Sequence, residues 1–152
     1  MPRPYNEPLE YNIEVNIAFF LENQGVAIKK INSEWFYNAK KGIYQKRKNQ
    51  YSRPGISDLC GTITPFGRAL WIEVKRPEEM AFFDRPAHII EQDYLEAKYH
   101  KKLSKSSIEK YEHALEQARF IENEIKHGAV AFYASSVEEV IKKLKDFGIS
   151  VS

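Results

Sequence analysis

Two runs decide how this chain is read. They are Ile56-Ser57-Asp58-Leu59-Cys60-Gly61-Thr62-Ile63 and Ala69-Leu70-Trp71-Ile72-Glu73-Val74-Lys75, with a turn at Pro65-Phe66-Gly67-Arg68 between them. Each is short, apolar and bounded by Gly or Pro, which is the signature of a strand. The turn residues predict a hairpin, and Arg76-Pro77 stops its second strand. Side chains alternate along a strand, so Glu73 and Lys75 share one face. Their neighbours Leu70, Trp71, Ile72 and Val74 are apolar, and a charged pair there is costly unless it is paired or bound. Asp58, on the first strand, is expected beside Glu73. Two adjacent carboxylates repel, and a hard divalent cation relieves that repulsion. Mg²⁺ (or Mn²⁺) suits such a site, because Mg²⁺ takes one or two carboxylates and fills its shell with water and phosphate oxygens. Water bound to a metal is a stronger acid and a readier source of nucleophile. Lys75 would stabilise charge on a phosphate or orient the water. The same spacing also describes a partly exposed hairpin with a Glu–Lys pair on its wet face.

Working outward, residues 1–8 hold three prolines and read as irregular. A helix is expected over Leu9 to Asn23, with Ile13, Ile17, Phe20 and Leu21 inward and Gly25 ending it. Val26 to Tyr37 reads as one or two strands. Beyond the hairpin, residues 77–105 mix charge with aromatics, and a short helix is expected from Ala87 to Tyr99. Ser106-Ser107-Ile108-Glu109 resembles a capping box that would open a long helix to about His127. Its stripe is Ile108, Tyr111, Leu115, Ala118, Ile121 and Ile125, and Gly128 marks its end. Ala129 to Ala134 lacks alternation and reads as a central buried strand. Ser136 would cap a last helix, Val137 to Phe147, with Val140, Ile141, Leu144 and Phe147 inward. This order predicts a mixed sheet with helices packed on it.

The 152 residues suit one domain, and 43% hydrophobic with 29% charged residues is ordinary for a globular chain. No apolar run is long enough to span a membrane, and the first residues lack the apolar stretch of a signal peptide, so a cytoplasmic, intracellular protein is expected. The single cysteine, Cys60, excludes an internal disulfide and a cysteine zinc site. His88, His100, His113 and His127 show no metal-ligand spacing. Net charge is only +2, but its distribution is uneven. Lys40, Lys41, Lys46, Arg47, Lys48 and Arg53 fall in one stretch without an acid. That describes either a solvated loop or a surface for DNA phosphates. Tyr37, Tyr44 and Tyr51 lie among these cations, where aromatic rings can stack on bases or anchor the loop.

Taken together, Pro54-Gly55-Ile56-Ser57-Asp58-Leu59, a turn and Trp71-Ile72-Glu73-Val74-Lys75 resemble the virus-type replication-repair nuclease (VRR-NUC) family. More distantly they resemble archaeal Holliday-junction resolvases. Both belong to the PD-(D/E)xK superfamily. The family order has counterparts throughout: Glu14 on the first helix ahead of Gly25, Gln117 on the long helix ahead of Gly128, then a strand and a terminal helix. The likeness covers about residues 9–75 and 106–149. It implies an α/β, restriction-endonuclease-like core with a mixed sheet flanked by helices, in a single nuclease domain carrying an insertion at about 77–105. It implies a catalytic set of Asp58, Glu73, Lys75 and Gln117, with the metal held around Asp58, Glu73, Val74 and Glu14. The expected activity is Mg²⁺- or Mn²⁺-dependent DNA cleavage on branched, junction or flap DNA, by a homodimer. A restriction-like or defence nuclease, or an inactive DNA-binding protein of the same fold, are the alternatives. Two features depart from the family. Ser57 stands where proline is common before the aspartate, and residues 77–105 are longer than the family spacing. Within them, Met80-Ala81-Phe82-Phe83 reads either as a contact patch or as aromatics tucked into the core.

Overall fold

The computed structural model describes residues 9–30, 35–46, 57–64 and 67–151. Helix α1 (Leu9–Asn23) comes first and is followed by strand β1 (Ala27–Lys30). Gly25 makes the turn between them with φ at +80°, a conformation that costs other residues a steric clash. Strands β2 (Trp35–Asn38) and β3 (Ile43–Lys46) pair antiparallel as a separate hairpin. Strands β4 (Leu59–Ile63) and β5 (Arg68–Val74) form the expected hairpin. A single 3-10 turn at Pro77–Glu79 leads into α2 (Met80–Phe83), then α3 (Ala87–His100) and α4 (Lys105–Lys126). Strand β6 (Val130–Ala134) and helix α5 (Val137–Asp146) complete the described order.

The result is a mixed α/β architecture around a four-stranded sheet in the order β1-β4-β5-β6. β1, β4 and β5 are successively antiparallel, and β6 joins β5 in parallel. The parallel pairing requires a crossover, which α2, α3 and α4 supply. Gly61 allows the sheet to close here. A Cβ at that position would meet the Ala27 carbonyl oxygen at 2.5 Å.

Alternation on β5 divides the interior. Leu70, Ile72 and Val74 enter one core with Ile17, Leu21, Phe132, Val140 and Leu144, between the sheet and helices α1 and α5. Trp71 joins the other core, with Phe83, Ile90, Tyr94, Ala118, Ile121, Ala131 and Tyr133, under α3 and α4. Each fully buried Leu or Ile contributes about 1.5–3 kcal/mol, so the β5 side chains bind the two layers together.

Several expectations need correction. Among the described residues, β6 lies at the edge of the sheet and not at its centre. It lacks alternation because helices cover both of its faces, and every one of its residues is buried. The cap of α4 is Ser104, whose hydroxyl accepts from the Ser107 amide, so Ser106 lies inside the first turn. Ser104 sits at φ −68°, ψ 158°, the extended geometry of a cap. Ile125 falls off the apolar stripe and is exposed. Residues 43–46 of the basic stretch are a strand, not a loop. Lys40 and Lys41 occupy the exposed β2–β3 turn, where the Asn38 side chain accepts from both of their amides. Lys46 ends β3, while Arg47, Lys48 and Arg53 lie outside the described residues, as does Tyr51. Met80, Phe82 and Phe83 pack into the second core and form no exposed patch. Among the described residues, no helix is long and apolar enough to cross a membrane.

Candidate active site

Glu73 is the penultimate residue of β5, and Lys75 follows the strand directly. The ladder continues past the strand end, because the Lys75 amide donates to the Ala134 carbonyl at 3.1 Å. That bond holds the backbone extended and keeps the two side chains on one face. Glu73 is 2% exposed and Lys75 6%. The Lys75 ammonium lies 3.4 Å from Glu73 Oε1. The same oxygen accepts from Gln117 Nε2 at 2.6 Å. Gln117 projects from α4 and is itself buried. Thus α4 and β5, distant in sequence, meet at one carboxylate.

Asp58 lies one residue before β4, at a bend and not on the strand. Its Oδ2 accepts from the Val74 amide at 2.9 Å, which ties the carboxyl group to the end of β5. Burial raises the Glu73 carboxyl well above its ordinary range, and the Asp58 carboxylate adds to the rise, while Lys75 opposes it. Glu73 Oε2 is buried without a hydrogen-bond partner. An unpartnered buried carboxylate oxygen beside a second carboxylate is the donor set that a hard divalent cation satisfies. Asp58 and Glu73 therefore fit Mg²⁺ or Mn²⁺. Among the described residues, no group of three or more His, Cys, Asp or Glu converges.

Glu14 is buried on α1 and pairs with Lys30 of β1 at 2.8 Å. Its carboxyl is thus engaged by the Lys30 ammonium. Lys30 also feels the Asp58 charge, and its ammonium is held protonated chiefly by the hydrogen bond to Glu14.

Three contributors are absent from the sequence reading. Lys30 is one. Glu10 is the second; it is one helical turn before Glu14 and so on the same side of α1. Burial raises its carboxyl, against the pull of Lys75, and the Asp58 charge raises it further. The four-residue spacing to Glu14 is the signal that could have found it. Phe83 is the third. Its ring centre lies 4.2 Å from the Lys75 ammonium, and nothing local in the sequence announces that contact.

Asp58, Glu73, Lys75 and Gln117 are thus brought together by the bend before β4, the end of β5 and α4. The site combines two carboxylates with a fixed ammonium in a largely dry setting, which favours charge-stabilising chemistry at an oxyanion. No protein-family model matches the chain, and no curated protein matches it.

Proposed function

We infer that this protein is a metal-dependent DNA endonuclease with a PD-(D/E)xK core, related to the VRR-NUC nucleases. The observation that carries the reading is the meeting of Asp58, Glu73 and Lys75 at the end of one hairpin, with Gln117 anchoring the shared carboxylate. Asp58, Glu73 and the Val74 main-chain carbonyl would hold Mg²⁺ or Mn²⁺. When bound, such a cation lowers the pKa of its water and offsets charge on the phosphate. Lys75 places a positive charge where the attacked phosphate gains negative charge. Gln117 holds Glu73 in one rotamer, so the carboxylate need not reorganise. Glu14 and Lys30 form a supporting pair at the α1 side.

The substrate proposed is branched, junction or flap DNA, cut in repair, recombination or phage replication. Among the described residues, the β2–β3 hairpin and the segment 77–105, itself partly packed in the second core, are what the sheet and its other helices leave over, which leaves little room for a sequence-reading module. A homodimer would supply the two cuts that a junction needs. The test is cleavage of four-way junction, flap, linear duplex and single-stranded DNA side by side, with and without Mg²⁺. Asp58→Ala, Glu73→Ala and Lys75→Ala are the controls. Metal-dependent cleavage of branched DNA that all three variants abolish is the expected result. Full activity in any one of them removes that residue from the mechanism, and no cleavage of any substrate by the wild type refutes the reading.

A further inference from the structure

From Lys98 to Lys110 the chain carries Lys98, Lys101, Lys102, Lys105 and Lys110 against one acid, Glu109. All five lysines are exposed, at the end of α3, the turn after it and the first part of α4. Among the described residues none of them is in an ion pair. The nearby arginines differ, since Arg85 is paired with Asp93 and Arg119 with Glu91.

This cluster is continuous with the site. The Lys75 ammonium lies over the Phe83 ring at 4.2 Å, and the Lys110 ammonium lies 5.8 Å from the same ring and 4.3 Å from Phe82. Phe82 packs on Tyr111, Tyr111 stacks on Tyr94, and Lys98 lies over Tyr94 at 4.2 Å. Along α4, Gln117, His113, Lys110 and Ser106 recur at four-, three- and four-residue steps, so they lie on one side of the helix. That row starts at Glu73 through Gln117 and passes Phe83 through His113. It then reaches the cationic end of the helix. A helix rises 1.5 Å per residue, so the row from Gln117 to Ser106 is about 17 Å long. One DNA strand rises 3.4 Å per nucleotide, so that length matches about five nucleotides.

We propose that the α3–α4 corner is a DNA-binding surface, along which the strand entering the site is held by its phosphates. The idea rests on the nuclease reading for its choice of partner. The lysines supply the counter-charge for phosphates, and the buried and half-buried aromatic rings beneath them hold Lys98 and Lys110 in place. The contact is with the backbone, so it serves every sequence alike.

The test is anisotropy of labelled four-way junction and linear duplex, titrated with protein in EDTA over a range of salt. Wild type is compared with Lys110→Gln and with Lys101→Gln/Lys102→Gln/Lys105→Gln. All four positions are exposed, Lys110 bordering the Phe83 wall of the site, and thermal melts check the fold. The slope of log affinity against log salt should fall by about one for Lys110→Gln and by about three at most for the triple variant. Unchanged slopes in both variants overturn the proposal, as does a wild type that binds neither DNA. Lost slope in a protein that cleaves nothing keeps the surface and refutes the nuclease. Unchanged slope in a protein that cleaves does the reverse.

Discussion

The Lys75 ammonium sits between two partners, Glu73 Oε1 at 3.4 Å and the Phe83 ring centre at 4.2 Å. Phe83 belongs to the segment 77–105, so that segment supplies a wall of the candidate site. A desolvated cation–π contact is worth about 2 kcal/mol. Phe83→Leu should therefore lower kcat by roughly tenfold or more, if the ring holds the ammonium in its working position. Fluorinated phenylalanines at position 83 separate ring charge from ring size. The rate should fall stepwise with fluorination while the melting temperature drops by only about a few degrees, and a rate indifferent to fluorination would falsify the role.

The raised Glu73 carboxyl makes a prediction with a definite sign. Burial favours its neutral form in the folded, metal-free protein. Its contribution to stability is then fully present below the ordinary value of 4.5 and is lost as pH rises through the folded value. Glu73→Gln mimics the neutral form. It should melt higher than wild type at pH 8 without metal, and the two curves should converge toward pH 4. Metal binding needs the carboxylate, so the gain in melting temperature from Mg²⁺ should grow with pH in wild type and vanish in the variant. Melting curves that differ by the same amount at every pH would contradict the assignment.

Gln117 gives a third test. Its amide is the neutral donor on Glu73 Oε1, and groups that orient a metal-binding carboxylate typically matter by 10–100-fold in metal affinity or activity. Gln117→Ala should raise the Mg²⁺ concentration for half-maximal cleavage by about tenfold or more, with the fold preserved. A Mg²⁺ titration that superimposes on wild type would reduce Gln117 to a core filler.

The assembly state can be read directly. Paired cuts on a four-way junction need two sites related by a two-fold axis. Light scattering of the protein, alone and with a junction, should show a dimer in at least one condition. A monomer in both, with no preference for junction over linear duplex, removes the paired-cut idea.

Local chemistry determined much of this protein from its sequence. Alternation along residues 69–75 placed Glu73 and Lys75 on one face, and that holds because every strand has the same period of two. Gly25, Gly128 and Ser136 end or begin helices as expected, since a positive φ or a cap is a one-residue property. What only the tertiary structure decided depends on long separations in the chain. Gln117 reaches Glu73 across 44 residues, and whether it faces the site or solvent turns on how α4 lies on the sheet. Phe83 meets Lys75 because α2 folds back under α4, which no periodicity encodes. Glu14 sits at the edge of the inward face of its helix by sequence spacing alone, and β1 decides its surroundings by bringing Lys30 to it. The burial of β6 hides its edge position, because a strand covered on both faces by helices has the same apolar pattern whether one neighbour or two lie beside it.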